Sequence, residues 1–286
     1  MKVTITGATG LIGSKLCAVL RKRGDEVTAV AREWPPQVLA GRDAVVHLAG
    51  EPIAQRWNDE AKALIRASRV EGTARLVDAL READPRPTVL VSASGADYYG
   101  DTGDRQVDEG SPAGTGWLAQ VCVEWEEEAS KASDLGLRVT RMRTGPVLAR
   151  SGGALAKMLP PFRLGVGGRV GSGRQWVSWI AFADVVGLYA DAVHGGEDWA
   201  GPINACSPAP VTNATFAKAL GRALRRPAVL PIPPAALKVL YGDMAQIVTG
   251  GARMVPARAT ELGYRFRHPD LDDALRTALA SSRYGG

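Results

Sequence analysis

Seven residues near the start, Gly7-Ala8-Thr9-Gly10-Leu11-Ile12-Gly13, have the composition and spacing of a phosphate-holding loop. They lie between a short β-branched run, Lys2 to Thr6, and a stretch from Leu11 to Arg23 with apolar residues at helical spacing. Gly7 permits a tight turn, Gly10 lets backbone approach a pyrophosphate with no Cβ in the way, and Gly13 lets helix and strand pack closely. Thr9, Leu11 and Ile12 complete the loop. A helix that starts there offers free N–H groups and the positive end of its dipole to an anion. The end of the next strand selects the dinucleotide. An NAD site has an acidic residue there for the ribose 2′-hydroxyl; this chain reads Val30-Ala31-Arg32, and a guanidinium suits the extra 2′-phosphate of NADP. Glu33 follows at once and is the alternative ribose ligand. The expectation is NADP(H).

Further along, Ser92-Ala93-Ser94 ends a fourth strand, and Ser94 is placed to polarise a reacting carbonyl. The alternative is a strand-end serine bonding its own turn. Tyr98 is the nearest phenol that could supply a proton, although Tyr98 and Tyr99 also read as a packed aromatic pair. Arg163, Arg169, Arg174, Gln175 and Trp179 gather around the glycine-rich segment Gly165–Gly173. Arginines beside such backbone can clamp a phosphate or carboxylate, or simply solubilise a loop. Glu124, Glu126, Glu127 and Glu128 read as a solvated helix face, and Cys122 as a small apolar residue. Three scattered cysteines and three scattered histidines form no metal pattern, and the acidic loop from Asp101 to Glu109 lacks calcium-loop spacing. No metal is expected.

The elements that must position these groups alternate between strand and helix. Strands are predicted at Lys2–Thr6, Glu26–Ala31, Ala44–Leu48, Thr88–Val91 and Leu137–Met142, with helices at Leu11–Arg23, Asp59–Glu82 and Trp117–Leu135. That order makes a doubly wound parallel α/β sheet covered on both faces. After about Arg150 the chain becomes rich in Gly and Pro, and a smaller, mostly helical part is expected. The predicted division is a nucleotide-binding domain over 1–150, also receiving about 177–206, and an interleaved substrate-binding part over 151–286. With 286 residues, 45% hydrophobic and 23% charged, the chain is long enough for a sizeable core and too mixed for disorder or a coiled coil. No apolar run approaches a membrane span, and no signal peptide is recognised. The net charge of +5 comes without a Lys/Arg run, so neither a membrane nor nucleic acid is expected as partner. Unpaired cysteines point to the cytoplasm.

The phosphate loop brings a family resemblance with it. The chain resembles the extended short-chain dehydrogenase/reductase superfamily, and more closely its atypical branch of epimerase family proteins. The matching segments run from TGATGLIG at Thr6, HLAGEPI at His47, RWN at Arg56 and SRVEGT at Ser68 to YYGD at Tyr98 and DEGSPAG at Asp108. They continue with EWE at Glu124, RTGPVL at Arg143, GGALAKMLPPFRLGVGG at Gly152, GSGRQWVSWI at Gly171 and PVTN at Pro210. The resemblance implies a Rossmann-like fold, NADP(H) as cofactor and Arg32 on the 2′-phosphate. It puts Leu48-Ala49-Gly50 under the adenosine half, with Arg69, in place of the usual asparagine, reaching toward the cofactor. It also implies that the region of Arg163, Arg174, Gln175 and Trp179 faces the substrate. One departure is large. The family's Tyr-x-x-x-Lys pair is absent, because Trp117 is followed four residues on by Val121, and Leu118 by Cys122. The implied activity is an oxidoreductase or epimerase acting on a small polar molecule, nucleotide-linked compounds included. The alternative is a non-catalytic NADP(H)-sensing protein. The resemblance further implies a homodimer through the helices Asp59–Glu82 and Trp117–Leu135.

Overall fold

The structure, a computed structural model, describes residues 1–30 and 34–280. Arg32 and Glu33, on which the choice of dinucleotide turns, lie outside the described residues. Six strands form the central sheet: β1 (Lys2–Thr6), β2 (Glu26–Val30), β3 (Ala44–His47), β4 (Val89–Gly95), β5 (Arg138–Thr144) and β6 (Gly201–Ala205). Their order is β6-β5-β4-β3-β1-β2, and every neighbouring pair is parallel. β1, β3 and β4 are buried along most of their length, as strands covered on both faces are.

On one face lie α1 (Leu11–Lys22) and α5 (Phe182–His194), sealing a core of Val3, Ile5, Leu16, Val46, Val185 and Leu188. On the other lies α2 (Asp59–Glu82), whose Leu76, Val77 and Leu80 pack on Val45, Leu90 and Val139. Beside it α3 (Trp117–Ser130) packs on α2 through Ile65, Leu118 and Val121. α2 starts at a strong signal, because the Asn58 side chain accepts from Ala61 N and two acids, Asp59 and Glu60, follow in the first turn. The residues after α3 wind as a 3₁₀ turn, Lys131–Leu135, which stops at Gly136 with φ +85°. The sheet takes its last strand, and α5 with it, from the second half of the chain. A second core joins α4 (Gly153–Arg163), α6 (Asn213–Leu224) and α7 (Leu271–Ala280).

This is a Rossmann-like doubly wound sheet. The chain leaves β1 for β2 on one side and returns to β3 on the other, so a crevice opens at the carboxyl ends of β1 and β3. In open parallel sheets that switch point is where ligands bind.

Candidate dinucleotide and active site

The turn after β1 is built for close approach of backbone to backbone. Gly7 has φ +67°, and a Cβ there would stand 2.7 Å from the Leu48 carbonyl carbon and 2.8 Å from Ala49 N. The loop after β1 therefore lies directly on Leu48-Ala49-Gly50, the loop after β3. Gly10 N donates to Gly7 O at 3.0 Å and closes the turn. A Cβ on Gly13 would stand 2.4 Å from Gly7 O, so helix and turn touch there as well. Gly10 is the N-cap of α1 and no side chain caps it, which leaves the N–H groups of the first turn for an outside acceptor. Thr9 and Gly10 are exposed; Leu11 and Ile12 are half-buried. An uncapped helix start behind a side-chain-free turn fits a pyrophosphate.

Below this loop, Thr6 Oγ1 and His47 Nδ1 lie 2.7 Å apart and tie β1 to β3. Burial pushes the His47 imidazole down to about 4, so it is neutral near pH 7. The edge of Trp34 packs against it. Arg69, on α2, supports the second loop from beneath. A Cβ on Gly50 would stand 3.5 Å from its guanidinium carbon, and Arg69 Nη1 donates to Glu51 O at 3.0 Å and Ile65 O at 3.1 Å. Arg69 is only 7% exposed, and its Nε lacks a hydrogen-bond partner among the described residues.

At the carboxyl end of β4 a chain of buried polar groups runs from β4 through α3 and β5 to β6. Ser94 Oγ donates to Glu126 Oε1 at 2.7 Å. Arg143, on β5, grips the same carboxylate with both arms, Nε to Oε1 and Nη2 to Oε2, each at 2.8 Å. Arg143 Nη1 donates to Tyr99 Oη at 2.8 Å, and Tyr99 donates onward to Asn204 Oδ1 on β6 at 2.7 Å. Asn204 N in turn donates to Glu109 Oε1. The guanidinium carbon of Arg143 also lies 3.4 Å from the centre of the Tyr98 ring. Burial works to lower Arg143, but the Glu126 carboxylate outweighs it and holds the guanidinium above its usual value. Glu126 is therefore no solvated residue: it is 4% exposed, and the expectation for the acidic run fails at this position because Glu126 has Ser94 and Arg143 behind it. Ser94 spends its proton on that carboxylate. Tyr98 meets Arg143 through the face of its ring.

The places of the missing tyrosine and lysine are filled by packing groups. Leu118, Val121 and Cys122 are all buried. Burial pushes the Cys122 thiol up, so it is neither nucleophile nor cation. Across from it stands a carboxylate that sequence reasoning passed over. Asp97 lies on the 3₁₀ turn Ala96–Tyr99 that follows β4. A Cβ on Gly95 would be 3.6 Å from Cys122 Sγ and 3.7 Å from Asp97 Oδ2, so the two side chains flank Gly95 at the strand end. Burial pushes the Asp97 carboxyl up to about 6, against the weaker opposing pull of Arg69.

The residues expected to face a substrate do not share one setting. Arg163 and Arg174 are exposed. Gln175 Nε2 donates to Val170 O and Val248 O, pinning the glycine-rich segment to the C-terminal part. Trp179 is fully buried in the second core among Leu155, Phe216 and Leu220, so it does not line a surface loop. Its apolar neighbours come from helices far along the chain, which its place beside the glycines does not reveal.

Comparison with known proteins agrees with this geometry. The NAD dependent epimerase/dehydratase family matches residues 3–198, and a domain of unknown function, DUF1731, matches residues 232–278. The chain belongs to the NAD dependent epimerase/dehydratase family. Within it, the chain is similar along 98% of its length to the chloroplastic SDR39U1 homolog of Arabidopsis thaliana, an epimerase family protein, with 41% identity and 87% of that relative covered. The Bos taurus SDR39U1 protein is 38% identical, with 98% of this chain and all of the relative covered. The crystal structure of human SDR39U1 with NADPH superposes with a TM-score of 0.89 at 34% identity, covering 98% of this chain and 100% of that one. MoeE5 in complex with UDP-glucuronic acid and NAD has the same fold, with a TM-score of 0.79 at 20% identity.

Proposed function

We propose that this chain is an NADP(H)-dependent oxidoreductase or epimerase acting on a small polar molecule, nucleotide-linked sugars included. The observation that carries the reading is the side-chain-free turn at Gly7–Gly13, seated on Leu48–Gly50 at the switch point of the sheet. A relative of 34% identity solved with NADPH supports the choice of cofactor. Gly7, Thr9, Gly10, Leu11, Ile12 and Gly13 would hold the pyrophosphate, and Leu48, Ala49 and Gly50 the adenosine half. Arg32 would take the 2′-phosphate, and Arg69 would keep the second loop in place. When bound, the cofactor supplies or accepts a hydride.

The cofactor assignment is open to a direct test. Arg32→Ala should weaken NADPH by about 1.5–3 kcal/mol, the scale of hydrogen bonds to a charged group, and leave NADH nearly unchanged. Parallel fluorescence titrations with the two dinucleotides check it. An equal loss for both would remove Arg32 from the 2′-phosphate.

One observation favours a second reading, in which the protein binds NADP(H) to report its redox state without turnover. It is the apolar filling at Leu118 and Cys122, where the family has its proton-transfer pair. Loss of NADPH fluorescence against a panel of sugar nucleotides, aldehydes and quinones separates the two. A cytoplasmic location belongs to the same proposal: the three cysteines are free and buried, and no described helix is long and apolar enough to cross a membrane. So does a homodimer through the outer faces of α2 and α3. Val121 and Ala129 are spent inside the protomer, but Leu64 on α2 is 53% exposed. A monomer mass at micromolar concentration would end that part.

A further inference from the structure

Hydride transfer to a carbonyl leaves a negative oxygen that needs a proton, and the structure engages Ser94, one of the groups expected to give it, elsewhere. Ser94 is committed to Glu126. Leu118 and Cys122 are an alkyl chain and a neutral thiol. Tyr98 meets Arg143 through the face of its ring and keeps its hydroxyl. Beside it at the carboxyl end of β4 stands a second acid, Asp97. It sits across Gly95 from the very turn of α3 where the tyrosine–lysine pair is missing. Among the described residues no other side chain hydrogen-bonds to its carboxyl, and the residue as a whole is half-buried. A dinucleotide on the Gly7–Gly13 turn with its 2′-phosphate at Arg32, after β2, would leave its other half for the opposite side of the crevice, toward β4 and Asp97.

Resting on the functional reading above, we propose that Asp97 is the proton-exchanging group of the crevice. In reduction, a C–H bond forms at the substrate carbonyl carbon with hydride from the reduced nicotinamide. The Asp97 O–H bond breaks, an O–H bond forms on the carbonyl oxygen, and a carboxylate remains that regains a proton from solvent. In oxidation, the Asp97 carboxylate takes the hydroxyl proton as the hydride leaves. The charged and titratable groups facing this carboxyl are few. They are Arg69 from α2 and Cys122 from α3; Glu126 lies beyond Cys122 and Glu51 behind Arg69. Arg69 favours the carboxylate, while burial disfavours it. The balance, at about 6, lets one group act as acid below that pH and as base above it.

The test needs no known substrate. A positively charged oxidised nicotinamide beside Asp97 favours the carboxylate, whereas the neutral reduced ring does not. NADP⁺ should therefore release a proton on binding near pH 5.5 that NADPH does not. The 2′-phosphate, which also titrates near 6, is common to both and cancels in the difference. Titration calorimetry of the full chain in buffers of different ionisation enthalpy reads this directly. The expected difference is roughly half a proton or more per site in the wild type, and none in Asp97→Asn. Asp97→Asn should hold NADPH within about twofold of wild type, and Asp97→Glu should restore part of the difference. Equal proton counts for the two dinucleotides in the wild type overturn the assignment, whether or not any variant folds. So does a difference that survives in Asp97→Asn. Failure of the wild type to bind either dinucleotide overturns the functional reading itself, and this assignment falls with it.

Discussion

Glu126→Ala should lower the stability of the protein by about 3–5 kcal/mol, the cost of leaving a buried charge without its partner. The guanidinium left behind is that of Arg143, which is 3% exposed and cannot swing to water. Its Nε and Nη2 would both lose their acceptor, and Ser94 Oγ would lose its own. Arg141, 3.8 Å from the same carboxylate, would then face Arg143 with no negative charge between them. Glu126→Gln should cost less, because one amide oxygen still accepts while the charge is lost. Removing both partners, as in Glu126→Leu with Arg143→Met, should recover part of the loss, since neither charge is then stranded. Urea unfolding of the wild type, Glu126→Leu, Arg143→Met and the double variant closes a double-mutant cycle, with Glu126→Ala and Glu126→Gln measured beside it. A loss under about 1 kcal/mol in Glu126→Ala would mean that Arg143 finds water or another acceptor, and that the chain from Ser94 to Asn204 is not what holds this end of the sheet.

The parts of the fold legible in the sequence were those whose cause is local. β1, its glycine turn and α1 stand where alternation of strand and helix spacing put them, and α2 begins and ends at Asp59 and Glu82. The strand ends beyond them were not legible. β4 runs past the apolar run that stops at Val91, through the strand-end serines to Gly95, and β5 runs to Thr144 rather than Met142. The residues added to β5, Arg143 and Thr144, are polar, and an arginine in a strand covered on both faces is stable there only through a partner elsewhere. Ser94 and Arg143 have that partner in Glu126, on a helix 17 residues before Arg143 and 32 after Ser94. One signal was available. The alternation Arg141-Met142-Arg143 in a strand flanked on both sides demands a counter-charge, and only an acid on the covering helix can supply it. For Asp97 no such signal exists. Its proton affinity follows from burial beneath α2 and α3, and nothing in Gly-Ala-Asp-Tyr reports which helices will cover it. Trp179 failed for the same reason, since the cavity it fills is made by α4 and α6.

Gly10→Val should lower NADPH affinity at least about 100-fold while leaving the fold intact, and it is the sharpest probe of the phosphate loop. The three glycines of the turn are not equivalent. A side chain at Gly13 would meet Gly7 O at 2.4 Å, and one at Gly7 would meet the Leu48 backbone at 2.7 Å with φ at +67°, so substitutions there break the turn before they touch a ligand. Gly10 has φ −72° and ψ 174°, extended geometry that valine adopts readily. Its Cβ would have one tight neighbour, Gly7 O at 3.2 Å, and the branched methyls would stand over the open start of α1. That is the space a pyrophosphate must enter to reach the first-turn N–H groups. Losing two charge-assisted hydrogen bonds at about 1.5–3 kcal/mol each puts the deficit near 3 kcal/mol or above, hence the hundredfold. Gly10→Ala adds only the Cβ and should lie between wild type and valine. A thermal melt without ligand, compared with a fluorescence titration of NADPH, separates the two effects. The melt should shift little and the titration should flatten. Wild-type affinity in Gly10→Val would place the dinucleotide elsewhere on the molecule, and the reading of Gly7–Gly13 as its seat would have to be given up.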